Sequence, residues 1–499
     1  MRKWLAALGL VVVALAVAVG AKTLLTPSRQ IAAAPATPAA VDAAAASERL
    51  AAAVRFKTIA SQGDVDANAA EFLGLHAHLQ ASYPQAHAAL KREVIGKYGL
   101  LYTWPGSDPA AAPIALLAHQ DVVPVAPGTE GDWDSAPFAG TQKDGFVWGR
   151  GAWDDKGNLM AILEAVELRV AAGFRPRQTI YLAFGHDEEL GGERGAQQTA
   201  KLLKERGVRL RWALDEGLLI TEGAIPGLAK PAALVGVAEK GVLTLQLTAT
   251  ATPGHSSMPP VTAGASAIGM LSAALARLEH EQMPFALGGV GRDTFDTLAP
   301  EMAGIPRVLL SNLWLFAPLV ESQLKKLPSA NASFRTTTAL TVVDAGQVDN
   351  VLPGRATALV NFRLLPGDAS DAVVDHVVRT IANPSIKVER TAASWEASRV
   401  AARDAAGYRA IARTMAELHP GVAVAPGLMV GATDSRHFDI VADNVYKFSP
   451  MRARLADLKR FHGTNERIST ANFVELVQFY HRLIGNASSA DATSDRSQP

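Results

Sequence analysis

Short apolar runs alternate with stretches of helical spacing in the first half of the chain. Residues 114–118 and 179–184 are continuous apolar runs with the length and composition of buried strands. Residues 158–172 and 195–205 instead repeat apolar positions at the spacing of a helix. Strands that alternate with helices predict an α/β fold, with a sheet that is flanked by helices on both faces.

The pattern changes after residue 240, where apolar and polar residues begin to alternate with period two, as in half-exposed strands. The alternating stretches are 241–250, 338–342 and 356–363, and the helical ones between and after them are 265–279 and 371–381. The helical stretch 404–418 follows beyond this region. This change predicts a small α+β lid domain at 241–392, inserted between the two parts of a catalytic domain, 48–240 and 393–485.

The two ends of the chain differ from this body. Arg2 and Lys3 precede an uninterrupted apolar run at 4–21, which is about 27 Å long as a helix and so just spans a bilayer core. We interpret residues 1–25 as a signal anchor or signal peptide and favour a retained anchor. Positive charges before the run predict that the body lies outside the cytoplasm, periplasmic or secreted. The Ala/Pro-rich segment 26–47 is predicted to be a tether, and 486–499 a flexible tail.

Composition narrows the classes of function. The 499 residues suffice for two or three domains, and 48% hydrophobic content supports a sizeable core. Basic and acidic residues number 48 each, which gives no electrostatic footprint for nucleic acid. The chain has no cysteine, so disulfides are excluded and any metal ligand must be nitrogen or oxygen.

Five separate stretches carry a histidine or an acid that could bind a pair of zinc ions. The candidate ligands are His119, Asp154, Glu189, Asp215 and His462. Zinc accepts imidazole and carboxylate ligands, and a catalytic site keeps one position open. Each motif alone also fits a polar loop, a helix cap or a solvated acidic turn. Several of them follow predicted strands, however, and α/β sheets bind ligands at the carboxyl ends of their strands. Together they predict a hydrolytic metal centre.

Neighbouring residues fit supporting roles. Asp121 lies two residues after His119 on the same side of the chain and is expected to orient its ring. Glu188 is expected to take a proton from the attacking water and deliver it to the leaving nitrogen. A carboxylate shared by both ions is predicted at Asp154, with Asp155 as the alternative one position away.

The predicted insert contributes candidates for substrate binding. His255 has no acidic neighbour and fits a hydrogen-bond donor to an oxyanion, or else a rigid proline-ended loop. Asn350 and Arg363 are also in the insert, and Arg363 could clamp a carboxylate or simply face solvent. The stretch 284–334 contains Val308-Leu-Leu310, Leu313-Trp-Leu-Phe316 and Leu319, and it predicts either an apolar groove for a long acyl chain or ordinary lid core.

The motifs resemble those of the M20 peptidases, a family of dizinc amidohydrolases, and within it the branch of carboxypeptidase S and the N-fatty-acyl-amino-acid synthase/hydrolases. The phrases that carry the resemblance include Leu117-Ala-His-Gln-Asp-Val-Val-Pro124, Gly149-Arg-Gly-Ala-Trp-Asp-Asp-Lys-Gly157, Gly185-His-Asp-Glu-Glu189, Gly254-His-Ser-Ser257, Thr433-Asp-Ser-Arg436 and His462-Gly463. The similarity extends from about residue 48 to residue 484 and implies a zinc-peptidase-type sheet with a dimerisation-type lid.

The resemblance also implies roles for single residues. His119 and Asp215 would bind one zinc ion, Glu189 and His462 the other, and Asp154 would bridge them. Glu188 would be the general base, and the lid would bear His255, Asn350 and Arg363. A homodimer is left open, and so is the question whether His255 acts in its own subunit or in a partner.

Four functions can be weighed. The favoured hypothesis is a dizinc hydrolase that cleaves the amide bond of small N-acyl amino acids, with fatty-acyl substrates preferred and a reversible reaction allowed. The alternative within the same chemistry is a carboxypeptidase or dipeptidase acting on short peptides. A non-enzymatic receptor would be expected to lose ligands or Glu188, and none is lost. A magnesium or manganese phosphohydrolase lacks a phosphate-binding Gly-rich loop here.

Overall fold

The computed structural model describes residues 1–262, 264–392 and 394–489. The α-helices are α1 Arg2–Leu25, α2 Ala43–Val54, α3 Ala69–Ser82, α4 Pro84–Ala89, α5 Lys156–Ala171, α6 Ala196–Glu205, α7 Ala267–His280, α8 Gly289–Leu298, α9 Gly304–Ser311, α10 Leu313–Leu324, α11 Pro328–Ser333, α12 Ser370–Ile381, α13 Ala406–Leu418 and α14 Thr470–Ala487. The strands are β1 Lys91–Ile95, β2 Gly99–Trp104, β3 Ile114–His119, β4 Thr141–Lys143, β5 Phe146–Trp148, β6 Ile180–Gly185, β7 Trp212–Thr221, β8 Ala232–Glu239, β9 Gly241–Thr250, β10 Gly254–His255, β11 Thr337–Ala345, β12 Val351–Leu352, β13 Arg355–Leu364, β14 Ile386–Arg390, β15 Ala423–Met429, β16 Val445–Ala453 and β17 Arg467–Ser469. Short 3-10 helices cover Glu130–Asp132, Glu188–Leu190, Ala299–Glu301, Asp434–Ile440 and Leu458–Arg460.

The larger body is built on an eight-stranded mixed sheet in the order β1-β2-β6-β3-β7-β16-β8-β15. Strands β6, β3, β7 and β16 run parallel to one another, so their carboxyl ends lie at one edge. Helices α2, α5, α13 and α14 contribute to the buried cluster on one face, and α6 with the 3-10 helix at Asp434–Ile440 contributes to the cluster on the other. The predicted α/β class, with a mixed sheet flanked by helices, is confirmed.

A second, four-stranded antiparallel sheet follows at once in the chain. Strand β8 ends in the large sheet at Glu239, and β9 begins the small one at Gly241. Its order is β11-β13-β9-β14, and α7 and α12 pack their apolar residues against β9 and β13. This sheet with its two helices is the predicted α+β insert.

The stretch predicted as an acyl groove has a different environment. Helix α8 packs on the large sheet, where the Thr294 hydroxyl donates to the Pro426 carbonyl in β15. Leu298 and Met302 share a buried cluster with residues of β8 and β15, so this segment covers the outer edge of the catalytic sheet. Trp314 and Leu319 of α10 are exposed.

The N-terminal segment also departs from its prediction. Helix α2 begins at Ala43, and Ala46 and Ser47 are fully buried, so the last residues of the predicted tether belong to the packed body. Alanine is a good helix former, and Asp42 caps the start of this helix. Both features favour a helix at this position. The preceding residues lie against the body as well, since the Gln30 side chain bonds both backbone groups of Val424.

The predicted tail begins too early. Helix α14 extends to Ala487, and Asn486 is buried with its amide bonded to Thr414 and Glu417. Residues 490–499 of the predicted tail lie outside the described part of the chain.

Candidate metal centre

Loops at the carboxyl edge of the large sheet bring the candidate ligands together. His119 ends β3, and Glu188 and Glu189 follow the neighbouring parallel strand β6. Asp154 lies just before α5, and His462 lies in the loop between β16 and β17. Residues that are more than three hundred positions apart in sequence therefore meet at one edge, as the strand topology requires.

Asp154 is the centre of this cluster. Its carboxylate oxygens lie 3.0 Å from His119 Nε2 and 2.8 Å from His462 Nε2. A second acid joins it, because Glu189 Oε1 lies 3.3 Å from His462 Nε2. His119, Asp154 and Glu189 each offer a ligand atom, and these atoms lie within 4.8 Å of one another. The spacing suits a metal ion bound between imidazole and carboxylate groups.

The geometry distinguishes the two adjacent acids. Asp154 contacts both imidazoles, whereas Asp155 accepts the backbone N–H of His119 at 3.2 Å. The peptide bond between them is cis. Asp154 therefore lies between the two imidazoles, and Asp155 fixes the backbone of β3.

Asp121 connects two parts of the site. Its carboxylate lies 3.4 Å from His119 Nδ1 and accepts the backbone N–H groups of Glu188 and Glu189, both at 3.1 Å. The His119 Nδ1 also lies 3.0 Å from the Asp121 carbonyl oxygen. Because Nδ1 is occupied in this way, the Nε2 of His119 points to the cluster, which is the usual arrangement of a metal-binding histidine.

Asp215 lies on β7, directly after the last residue of β7 that pairs with β3. The strand was expected to end before this residue, but β7 continues to Thr221 because it pairs with β16. Its pairing with β3 stops at Leu214. Asp215 is buried; one oxygen accepts the Glu216 backbone N–H, and the other has no hydrogen-bond partner among the described residues. A buried carboxylate oxygen without a partner fits a metal ligand.

The site is strongly charged and only partly open to solvent. Burial lowers the pKa of His119, but its bonds to Asp121 and Asp154 outweigh this and hold that pKa well above the usual value. Hydrogen bonds to Asp154 and Glu189 raise the pKa of His462 to about 10. Both rings therefore carry a proton at neutral pH until a metal ion displaces it. The His462 side chain is 44% exposed, which leaves a route into the site.

Glu188 has the environment of an acid–base catalyst. Burial raises the pKa of its carboxyl group well above the usual value, an effect that His119 opposes and that Asp434 and Glu189 reinforce. A carboxylate that holds a proton near neutral pH can both accept and return one during a reaction. Asp187, the first acid of the same run, instead accepts the backbone N–H groups of Arg194 and Gly195.

Two further buried acids were missed by the sequence-based assignment of roles. Glu466 accepts the backbone N–H groups of Gly151, Trp153 and Asp154 and pairs with Arg150 at 2.5 Å. It thereby holds the loop that presents Asp154. Only its position four residues after His462 could have suggested a link.

Asp434 is the second of these acids. Neither of its carboxylate oxygens has a hydrogen-bond partner among the described residues. They lie so close to Gly185 and Gly192 that a Cβ on either glycine would stand 2.0 Å from an oxygen. The signal in the sequence was the Thr433-Asp-Ser-Arg436 phrase, which carried no assigned role.

The substrate-binding candidates lie on the insert. His255 is exposed on β10, which pairs with β12, and the Ser256 backbone N–H donates to the Asn350 carbonyl oxygen. The structure thus places His255 and Asn350 side by side, with their described contacts in the insert and not in the metal cluster. Arg363 is half-buried on β13, and its charge contributes to lowering the pKa of Lys240, which burial lowers most.

A cavity of about 400 Å³ lies away from this cluster. Its lining includes Ile114 and Trp212, which begin β3 and β7. It therefore lies at the amino ends of these strands, opposite the edge that carries the candidate ligands.

The site has the composition of a zinc hydrolase, and the match to known proteins agrees with this. The model of peptidase family M20/M25/M40 matches residues 115–486. The chain belongs to this family and is a zinc-dependent hydrolase.

Two relatives show which members of the family it is similar to. The N-fatty-acyl-amino acid synthase/hydrolase PM20D1.1 of Danio rerio is 42% identical over 419 residues, which cover 82% of this chain and 79% of the relative. The probable carboxypeptidase S-like 2 of Dictyostelium discoideum is 40% identical over 443 residues, which cover 88% of this chain and 84% of the relative.

Solved structures share the fold at lower identity. Human carnosine dipeptidase 1 has a TM-score of 0.61 at 16% identity, covering 91% of this chain and all of that one. An M20 family metallo-carboxypeptidase of Sulfolobus solfataricus has a TM-score of 0.63 at 15% identity, covering 89% and 99%. The predicted zinc-peptidase architecture is confirmed.

Proposed function

We propose that this chain hydrolyses the amide bond of N-acyl amino acids, with a preference for long acyl chains, and that the reaction can run in both directions. The observation that carries this is the pair of imidazoles on one buried carboxylate, Asp154. Support for the substrate class comes from the Danio rerio relative, whose name describes synthesis and hydrolysis of N-fatty-acyl amino acids.

The same site would bind two zinc ions. His119 and Asp215 would bind one ion, Glu189 and His462 the other, and Asp154 would lie between them. One buried oxygen of Asp215 has no hydrogen-bond partner among the described residues, which supports this assignment, because burial without a partner is costly unless a cation is bound. Two dications would also offset the repulsion among these carboxylates.

When bound, the ions supply Lewis acidity toward the amide carbonyl and toward water. Glu188 takes the proton from the attacking water and passes it to the leaving nitrogen, while Asp121 holds the backbone of Glu188 in place. His255 would donate a hydrogen bond to the oxyanion. Asn350 and Arg363 would bind the substrate, with Arg363 directed to its α-carboxylate.

The second candidate function is hydrolysis of short peptides, favoured by the carboxypeptidase S-like relative. A series of N-acyl amino acids of increasing chain length, assayed beside dipeptides, separates the two. Each buried methylene contributes about 0.8 kcal/mol, so kcat/KM should climb by up to about fourfold per methylene on a fatty-acyl hydrolase. A flat profile together with faster turnover of dipeptides would assign the chain to the peptidases.

We further propose that α1 is retained as an anchor and that the body lies on the extracytoplasmic side. Among the described residues, α1 is the helix long and apolar enough to cross a membrane. Its first residues, Arg2 and Lys3, would stay in the cytoplasm. Intact-mass measurement of the purified protein tests retention, since cleavage would remove about 2 kDa, on the order of 20 residues.

A homodimer formed through the insert is also proposed. Strand β11 is an edge strand of the small sheet, and its Val342 and Val343 are exposed. An exposed apolar edge strand is a ready surface for pairing with a second chain. Light scattering on the purified protein gives the oligomeric state directly, and a monomeric mass at working concentration would contradict the proposal.

A further inference from the structure

The body of the protein holds the last turns of the N-terminal helix. The Asn312 side-chain amide donates to Thr23 Oγ1 at 2.8 Å, and the Arg307 guanidinium donates to the Thr23 carbonyl oxygen at 3.3 Å. Thr23 is buried by these contacts, and Val19 is half-buried. The side chains of residues 1–18 are exposed along the whole length of the helix. Helix α9 and Asn312, which follows it, therefore contact α1 near its carboxyl end.

The contacts of the body with α1 determine where a bilayer would lie. The apolar run of α1 ends at Ala21, and the body contacts the helix from Val19 to Thr23. About 18 residues of apolar helix match the thickness of the hydrocarbon core. The membrane boundary therefore falls within roughly one helical turn, about 5 Å, of the contact with Asn312. Any surface of α9 or α10 next to Asn312 lies at the level of the headgroups.

The exposed face of α10 is apolar on the side of this contact. Its exposed residues are Trp314, Leu315, Pro318, Leu319, Ser322 and Gln323, which recur at helical spacing and so form one stripe. The first two turns of the stripe are apolar, and the third turn is polar. Trp314 and Leu319 are 52% and 48% exposed, and Ile305 at the start of α9 is 73% exposed. The exposed stripe of α10 is thus apolar near the contact with α1 and polar farther from it.

Trp314 is also tied to the anchor contact. Its indole N–H donates to the Asn312 side-chain oxygen at 3.2 Å, while the amide of the same residue bonds Thr23. Tryptophan is enriched at membrane interfaces, where its ring contacts acyl chains and its N–H remains bonded. A large exposed apolar patch on a soluble surface is otherwise unfavourable.

We propose that Ile305, Trp314, Leu315 and Leu319 form a lipid-contacting surface that seats the catalytic body on the outer face of the membrane beside its anchor. Helix α10 lies in the interface as a short amphipathic helix, with its first turns among the acyl chains and headgroups. The body is then held in one orientation and does not swing on a flexible tether. This surface rests on the proposed anchor for its position in the bilayer.

Because the chain contains no cysteine, a single cysteine can be introduced and labelled at a chosen position. Single variants Leu319→Cys, Val12→Cys and Leu73→Cys of the full chain are labelled with an environment-sensitive fluorophore. The proteins are reconstituted into phosphatidylcholine vesicles, with and without bromine on the acyl chains. Leu73 is the matched control, since it is 57% exposed on α3, which packs near the opposite edge of the large sheet.

We expect the label at 319 to shift to shorter wavelength and to be quenched by brominated chains, as the label at 12 is, while the label at 73 keeps its emission in buffer. Quenching at 12 with none at 319 would overturn the lipid-contacting surface and leave the anchor standing. A shifted but unquenched label at 319 would indicate a protein partner on α10, and would overturn the proposal too. Quenching at neither position would remove both the anchor and the surface.

Discussion

At the scale of single residues, the site depends on how carboxylates are held next to one another. Asp121 fixes the backbone of Glu188 and Glu189 and approaches the ring of His119, so one buried side chain positions the proposed base and two candidate metal ligands. Asp154 meets both imidazoles from the other side. The hydrogen bonds of Asp121 and Asp154 give these two carboxylates positioning tasks, and we assign proton transfer to Glu188.

Replacement of Glu188 by Gln should therefore remove catalysis and spare metal binding. The amide cannot accept the proton of the attacking water, and loss of a general base costs roughly 10² to 10⁴ in rate. Steady-state kinetics and zinc content by mass spectrometry check the two effects separately. Glu193→Gln, an exposed acid five residues later, is the matched control and should retain full activity. Full activity in Glu188→Gln would refute the assigned role.

Zinc binding should release protons. The pKa of His462 is raised to about 10 and that of His119 well above its usual value, so both rings are protonated at pH 7 in the metal-free protein. Each must lose its proton to bind zinc, and affinity should consequently fall as pH is lowered. Calorimetry in buffers of different ionisation enthalpy measures the release. A binding enthalpy that does not depend on the buffer would contradict this electrostatic account.

At the scale of elements, loops position the candidate side chains of the site, and the strands bring these loops together. The segment that carries Asp154 has no regular structure, and Glu466 holds it through three backbone N–H groups and Arg150. Glu466 comes from the loop after His462. Two sequence-distant loops that carry candidate metal ligands are therefore held to each other by one buried ion pair.

Replacement of Glu466 by Gln should weaken the attachment between these two loops. Breaking a buried pair leaves Arg150 uncompensated, and we expect a loss of about 3 kcal/mol in the free energy of unfolding. Zinc affinity should fall as well, because the Asp154 loop is no longer fixed. Denaturant unfolding and zinc competition measure the two losses. The exposed Glu205→Gln variant should stay within about 0.5 kcal/mol of the parent. Unchanged stability in Glu466→Gln would contradict the role given to the ion pair.

Periodicity predicted the regular elements well and failed where long-range packing decides. Strand β9 occupies the stretch that alternates with period two, and β3 differs from its prediction by one residue. By contrast, β7 continues through Asp215 because β16 offers a partner, and helix α2 includes alanines that were predicted to be a tether. The positioning role of Glu466 was equally invisible, since it consists of bonds to residues more than three hundred positions away.

At the scale of the whole molecule, the candidate metal ligands and the candidate substrate-binding residues lie on different parts of the fold. The candidate ligands lie at one edge of the large sheet. In the insert, Arg363 is on the four-stranded sheet, whereas His255 is on β10 of the two-stranded β10–β12 sheet and Asn350 lies next to it, just before β12. The chain passes from the large sheet to the small one at Lys240, between β8 and β9. Helix α8 seals the outer strand β15. Substrate preference can therefore vary in the insert without disturbing the metal centre.

The most direct test of the central claim is a crystal structure of the zinc-loaded protein with anomalous data collected at the zinc absorption edge. The account predicts two anomalous peaks, one on each side of the Asp154 carboxylate, one next to His119 and Asp215 and the other next to Glu189 and His462. A single peak, or zinc bound away from Asp154 in an active preparation, would contradict it.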